Sequence, residues 1–248
     1  MRTHEGANGF HAITVDTVIP RLVLGCAMIS PLLLSLKLAL VTSALLLVLG
    51  LPLAWWLAFT RFRLRFLVES VVALPIVLPP TVLGFYLLLG LGSRGSLGAL
   101  WERLTGHTLA FSFEGLILGS VIYSLPFAVQ PFTAALASVD RRLLAASASL
   151  GASPWRTFWR ITFPLAIPGI ITGVALSFAH TLGEFGVVLM LGGNIPGRTQ
   201  TESITIYDNV QMLDYAAAAR QSLTLLGISF ALLVLINAMN RDRNWKLR

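Results

Sequence analysis

Pro31-Leu-Leu-Leu-Ser-Leu-Lys37-Leu-Ala-Leu-Val-Thr-Ser-Ala-Leu-Leu-Leu-Val-Leu-Gly50-Leu-Pro-Leu-Ala-Trp-Trp-Leu-Ala-Phe59 carries a single charge, Lys37, near its start. A helix that crosses a bilayer needs roughly 20 mostly apolar residues. This block exceeds that length. Four further blocks qualify, from about Phe66 to Leu91, Phe113 to Val139, Ile161 to Leu191, and Ala216 to Met239. They are unbroken apolar runs, not the alternating segments of an outer-membrane barrel. The prediction is an all-α integral membrane protein with five transmembrane helices. Val18 to Ser30 is apolar but too short to span. It either lies at the interface, extends the first helix outward, or forms a sixth span.

Composition agrees with this reading. The chain has 248 residues, 56% of them hydrophobic and 12% charged, with mean hydropathy +0.79. Soluble domains are about a quarter charged. An ordinary soluble enzyme and a disordered chain are thereby excluded. Cys26 is the only cysteine, so neither an intrachain disulfide nor a thiolate metal cluster can form. In so apolar a chain, the net charge of +7 points to membrane topology before nucleic acid.

The basic residues set an orientation. With five spans, one side holds Arg61, Arg63 and Arg65, then Arg141, Arg142, Arg156 and Arg160, then Arg241, Arg243, Lys246 and Arg248. These face only two acids, Asp140 and Asp242. The other side balances its basic and acidic residues. The positive-inside rule puts the first side in the cytoplasm, with the N-terminus outside and the C-terminus inside. Residues 1–30 are then a periplasmic or interfacial extension, 31–239 the transmembrane domain, and 240–248 a basic cytoplasmic tail.

Several chemistries have no residues to support them. No G-x-x-x-x-G-K-[ST] occurs, so no Walker-type ATP site exists. His4, His11, His107 and His180 are scattered, without metal-ligand spacing. No polar segment is long enough for a catalytic domain. The chain is predicted not to be an enzyme and to hold no metal or cofactor; any energy must come from a partner.

The loop between the third and fourth spans reads Val139-Asp-Arg-Arg-Leu-Leu-Ala-Ala-Ser-Ala-Ser-Leu-Gly151-Ala-Ser-Pro-Trp-Arg-Thr-Phe-Trp-Arg-Ile-Thr-Phe-Pro164. Asp140 suits a helix N-cap. Gly151 suits the left-handed position that ends that helix. Ser153 and Pro154 form a fresh N-cap and first-turn pair. Trp155, Phe158, Trp159 and Phe163 share one face; Arg156 and Arg160 share another. A cytoplasmic, amphipathic helix–turn–helix follows. It is either an interfacial elbow, with aromatics and arginines at the headgroups, or a docking helix for a partner.

This loop resembles the "EAA" signature of bacterial ABC importer permeases. Gly151, Ile161 and Pro164 fall at its spacings, and Ala146 matches its first alanine. The leading Glu is Ala145 here, the second Ala is Ser147, and the Leu before the proline is Phe163. Leu74-Pro-Ile-Val-Leu-Pro-Pro-Thr-Val-Leu-Gly84 resembles the second span of molybdate-type oxyanion permeases. Leu182-Gly-Glu-Phe-Gly186 and Gly193-Asn-Ile-Pro-Gly-Arg-Thr-Gln-Thr201 resemble the fourth span and following loop of the same family. The resemblance implies a permease homodimer that moves molybdate by alternating access. It also implies a cytoplasmic ABC ATPase dimer that uses ATP-Mg, and a periplasmic or lipid-anchored oxyanion-binding protein. Ala146, Gly151, Ser153, Pro154, Arg156, Arg160, Ile161 and Pro164 are the expected coupling residues. Tungstate, sulfate and thiosulfate are alternative anions, and an ion-coupled secondary transporter is the rival class.

Pro75, Pro79 and Pro80 interrupt the second span, which marks either a broken helix lining a pathway or a packing kink. Pro79, Pro80, Thr81 and Gly84, with Ser177, Thr181 and Glu184 of the fourth span, are the candidate pathway residues. Glu184 is expected to order a break by accepting from backbone donors, with His180 a candidate partner. Glu69, one turn from Arg65 and near the cytoplasmic end, is expected to be a snorkelled or paired surface acid. Gly169 and Gly173 form a close-approach motif, within the chain or between copies. In the loop after the fourth span, Asn194, Arg198 and Thr199 are expected to meet the anion or its binding protein, or simply to be solvated.

Overall fold

The computed structural model describes residues 21–245. The expectations for residues 1–20 and 246–248 lie outside them. Every described element is helical: α1 (Arg21–Phe59), α2 (Arg65–Val77), α3 (Pro80–Leu91), α4 (Ser96–Thr105), α5 (Phe113–Ala137), α6 (Arg141–Ser149), α7 (Pro154–Thr157), a π-turn (Phe158–Thr162), α8 (Phe163–Leu182), α9 (Gly186–Gly192), α10 (Glu202–Gln211) and α11 (Tyr215–Trp245).

Four stretches are long and apolar enough to cross a membrane: Pro31–Phe59, Phe113–Ala137, Pro154–Leu182 and Tyr215–Ile236. The pair α2–α3, bent by 111° at its break, makes a fifth if the two helices form one span rather than a re-entrant loop. The α1 backbone continues unbroken from Arg21, so residues 21–30 prolong the first helix and make no separate one. Lys37 lies 4.7 Å from the Phe113 ring centroid, a cation–π contact that offsets part of the cost of its charge there.

α5 is the hub, packed against α1, α2, α8 and α9. Its Ala128, Val129, Phe132 and Leu136 are buried with Leu46, Ala54 and Leu57 of α1 and Ala166 and Ile170 of α8. A Cβ on Gly173 would stand 2.6 Å from the Phe132 ring, and one on Gly169 would clash with the Ala135 Cβ. The close-approach motif is therefore spent inside the chain, on α5.

The second span is two helices meeting at 111°. Leu78 (φ −73°, ψ 135°) and Pro79 (φ −55°, ψ 135°) are both extended. Each precedes a proline, and the proline ring pushes the residue before it out of the α region. Pro80 then opens α3 at a position where no N–H is needed.

The fourth span is also interrupted. It begins at α7, earlier than expected, and passes through the π-turn, where the Phe163 N–H reaches back to the Phe158 carbonyl. Pro164 has no N–H to give, and its ring crowds the carbonyl four residues back; a widened turn just ahead accommodates it. The helix ends at Leu182, short of the expected Leu191, and after a break a separate seven-residue α9 follows.

Candidate functional site: a coupling hairpin and two broken spans

α6, α7 and the turn between them form the hairpin expected from the sequence. The Asp140 carboxylate accepts from the Arg142 N–H at 2.8 Å. Gly151 sits at φ +76°. The Ser153 hydroxyl accepts from the Arg156 N–H at 3.3 Å, and Pro154 occupies the first turn. The sequence reading missed one bond. Ser147 Oγ lies 2.8 Å from Thr157 Oγ1 and pins the two arms together. Ser147 stands where the family signature has its second alanine, so the departure itself makes a contact. A serine ten residues from a threonine carries no pattern until the turn folds them together.

The tip presents apolar surface. Leu150 is 88% exposed and Trp155 71%. Ala146, Gly151, Ser153, Pro154, Arg156, Arg160 and Pro164 are exposed as well, and Ile161 is half-buried. Among the described residues, neither Arg156 nor Arg160 has a carboxylate partner; the one ion pair is Arg65 Nε to Glu69 Oε1 at 3.6 Å, as expected. The aromatics Trp155, Phe158, Trp159 and Phe163 pack on one another. With Leu47, Leu51 and Trp55 of α1 they line a groove of about 650 Å³.

The two broken spans meet. A Cβ on Gly186 would lie 2.6 Å from the Pro80 Cβ, and one on Gly84 2.8 Å from the Met190 Cβ. Gly84 is thus a contact residue for α9 and lines nothing open. Pro79 and Thr81 are exposed beside it. Glu184 is buried, and its Oε1 accepts from the Val187 N–H at 2.7 Å. It orders the break, as the sequence suggested.

His180 does not pair with Glu184. Its Nδ1 lies 2.9 Å from Ser124 Oγ, and its ring stacks on Phe127 at 3.9 Å. Ser177 and Thr181 are 0% and 2% exposed. The Ser177 hydroxyl donates to the Val174 carbonyl at 2.8 Å, and Thr181 Oγ1 lies 2.9 Å from Ser124 Oγ. Both were expected on an open pathway. Instead both are buried: Thr181 faces α5, and Ser177 bonds back to its own helix.

The loop from α9 to α10 is knotted on itself by polar bonds. The Thr199 hydroxyl donates to the Gly192 carbonyl at 2.7 Å and accepts from the Ile195 N–H at 3.0 Å. Thr199 is fully buried, so its hydroxyl is a loop staple and cannot meet an external partner. Asn194 donates to Asp208 at 2.9 Å. Arg198 alone of the three is exposed. Next to this loop, the Glu202 N–H bonds to Ser35 Oγ at 2.8 Å, tying α10 to α1. The Glu202 carboxyl is buried, and desolvation pushes its pKa up to about 7.

Known proteins agree with this geometry. The profile of the family described as "Binding-protein-dependent transport system inner membrane component" matches residues 50–241. The molybdenum transport system permease protein ModB of Azotobacter vinelandii is 54% identical over 185 residues, 75% of this chain and 82% of its own. ModB of Escherichia coli K12 is 39% identical over 204 residues, covering 82% and 89%. Among solved structures, an inward-facing MetNI methionine ABC transporter superposes with a TM-score of 0.72 at 16% identity, over 90% of this chain and 99% of its own; at that identity it speaks for the fold alone. The bent second span, the hairpin before the fourth and the profile match converge: this chain belongs to the family of inner-membrane components of binding-protein-dependent transport systems.

Proposed function

We propose that this chain is the membrane permease subunit of an ATP-driven molybdate importer. The observation that carries the reading is the identity to the Azotobacter permease over most of both chains. The hairpin geometry and the two broken spans support it. The chain supplies a path and binds no nucleotide. ATP-Mg is used by a separate ATPase dimer, which docks on the exposed hairpin through Ala146, Gly151, Ser153, Pro154, Arg156, Arg160, Ile161 and Pro164.

The permease works as a homodimer in the cytoplasmic membrane, embedded in lipid. The hairpin and the basic tail 240–248 face the cytoplasm, residues 1–30 extend on the other side, and 31–239 form the permease domain. A periplasmic or lipid-anchored oxyanion-binding protein docks at the loop that carries Asn194 and Arg198. Transport proceeds by alternating access. The ATPase pair moves the hairpin, and the rigid hub of α5 and α8 transmits that movement to the breaks at Pro79, Pro80 and Thr81 and at Glu184. Such transmission requires differential contacts in two states.

Mild-detergent purification with native mass spectrometry tests the assembly. Two copies of this chain with two of an ATPase are expected. Competitive ATP-driven uptake of molybdate, tungstate, sulfate and thiosulfate then tests the anion. Purification of the chain alone, with uptake driven by an ion gradient and no ATP, would overturn the reading in favour of a secondary transporter.

A further inference from the structure

The aromatic groove between the hairpin and α1 has no part in the transport reading above. One wall is α1, with Leu47, Leu51 and Trp55; the other is α7 and the π-turn, with Trp155, Phe158 and Trp159. The walls meet where the Trp55 and Phe158 rings pack edge to face at 6.3 Å. The groove holds about 650 Å³, and no charged side chain lines it. Trp55, Trp155 and Trp159 are all exposed.

Its depth in the membrane follows from helix length. The span Pro154–Leu182 has 29 residues, about 43 Å of helix at 1.5 Å per residue. The hydrocarbon core is about 30 Å thick, and a tilt of about 20° shortens the helix only to about 40 Å. The excess belongs at the hairpin end, because Arg156 and Arg160 are costly in hydrocarbon and tryptophan favours the headgroup level. α7 therefore stands among the headgroups. On α1 the wall runs from Trp55 back to Leu47, about 12 Å further in. The groove thus opens at the headgroup layer and runs into the hydrocarbon, a shape that an acyl chain fills and water does not.

The charges around the mouth select the headgroup. Arg156 and Arg160 each follow a groove tryptophan in sequence. Arg61 and Arg63 come directly after Phe59, whose ring lies 6.2 Å from that of Trp55. All four arginines are exposed, and among the described residues none has a carboxylate partner. Basic residues beside a bilayer attract anionic lipid, and the attraction acts over about a Debye length.

We propose that this groove binds one anionic phospholipid, its acyl chain between α1 and the hairpin aromatics and its phosphate at the arginines of the mouth. The bound lipid braces the hairpin on α1. This goes beyond the importer reading and does not depend on which anion is carried.

Native mass spectrometry of the purified transporter tests it, with phosphatidylglycerol and phosphatidylcholine of identical chains added in turn. One phosphatidylglycerol per copy of this chain is expected, retained at least about tenfold more than phosphatidylcholine. Val48→Trp places a ring in the groove from an exposed position on α1, and should cut that retention several-fold. Arg61→Gln with Arg63→Gln leaves the groove open and spares the hairpin arginines; it should reduce the preference for phosphatidylglycerol at least about fivefold. Equal retention of the two lipids by the wild type would overturn the proposal. So would undiminished retention by Val48→Trp, or an unchanged preference in the arginine variant.

Tryptophan quenching by lipids brominated on the acyl chain gives an answer even if Val48→Trp does not assemble. In the wild-type complex, brominated phosphatidylglycerol is expected to quench more deeply than brominated phosphatidylcholine at equal mole fraction. Equal quenching would mean that the tryptophans face bulk lipid, and no quenching by either would mean that a second copy of this chain covers them. Either result would overturn the proposal. Molybdate uptake that fails while the lipid preference holds would sink the importer reading alone.

Discussion

Gly186 lies directly against Pro80, so close that a Cβ on the glycine would stand 2.6 Å from the proline Cβ. The break in the second span and the break in the fourth are thereby one packed unit. Gly186→Val should overpack this contact and cost about 1–3 kcal/mol. The melting temperature of the purified transporter in detergent is expected to fall. An unchanged melting temperature would mean that the two breaks move apart freely.

Glu184 caps the start of α9 through the Val187 N–H. Glu184→Gln keeps an acceptor oxygen at that site. Assembly and uptake are expected to stay close to wild type if capping is its role. A large loss of uptake with normal assembly would show that the charge itself takes part in transport.

Arg156 and Arg160 are exposed and carry no carboxylate partner among the described residues. The double variant Arg156→Glu, Arg160→Glu reverses that surface charge. It should weaken ATPase co-purification or uncouple hydrolysis from uptake, and raising salt should weaken the wild-type docking in the same direction. Full uptake by the double variant would exclude these arginines from docking.

Ser147 and Thr157 hold the hairpin arms together at 2.8 Å. Ser147→Ala should cost about 0.5–1.5 kcal/mol of local stability. Faster amide hydrogen exchange in residues 141–157 is the expected readout. Exchange identical to wild type would assign the hairpin shape to the Gly151 turn and the caps alone.

Burial raises the Glu202 pKa from 4.5 to about 7. The sign follows from linkage: the unfolded carboxyl releases its proton near 4.5 and the folded one near 7. Stability is therefore highest below the lower value and falls as pH rises through this window, flattening above it. At about 1.4 kcal/mol per pKa unit the loss is at most about 3.5 kcal/mol. Glu202→Gln should remove this slope and raise the melting temperature at pH 8. A slope unchanged in the variant would place the titration elsewhere.

Much of the fold was legible in the residues. The spans are apolar runs, so four of them follow from length and hydropathy; whether the bent α2–α3 pair counts as a fifth does not. The hairpin was legible because caps and left-handed turns are local: Asp140, Gly151, Ser153 and Pro154 each act on the neighbouring backbone. The break of the second span was legible for the same reason, since Leu78 and Pro79 each precede a proline. The π-turn before Pro164 was not. A proline near a helix start can be absorbed in several ways, and packing selects one.

The pathway residues divide along the same line. The sequence by itself determined which residues bear hydroxyls, which bear charges and where helices must break, because these are properties of a residue and its immediate neighbours. It could not assign faces. An apolar span with small hydroxyl residues on several sides has no periodicity that separates the side toward α5 from any other. Only the tertiary structure turned Ser177 and Thr181 inward, spent Gly169 and Gly173 on α5, sealed Thr199 inside its loop, and drew His180 away from Glu184 to Ser124, 56 positions distant in the chain. Those outcomes depend on which helices can approach most closely, and that is settled by steric fit between elements far apart in sequence.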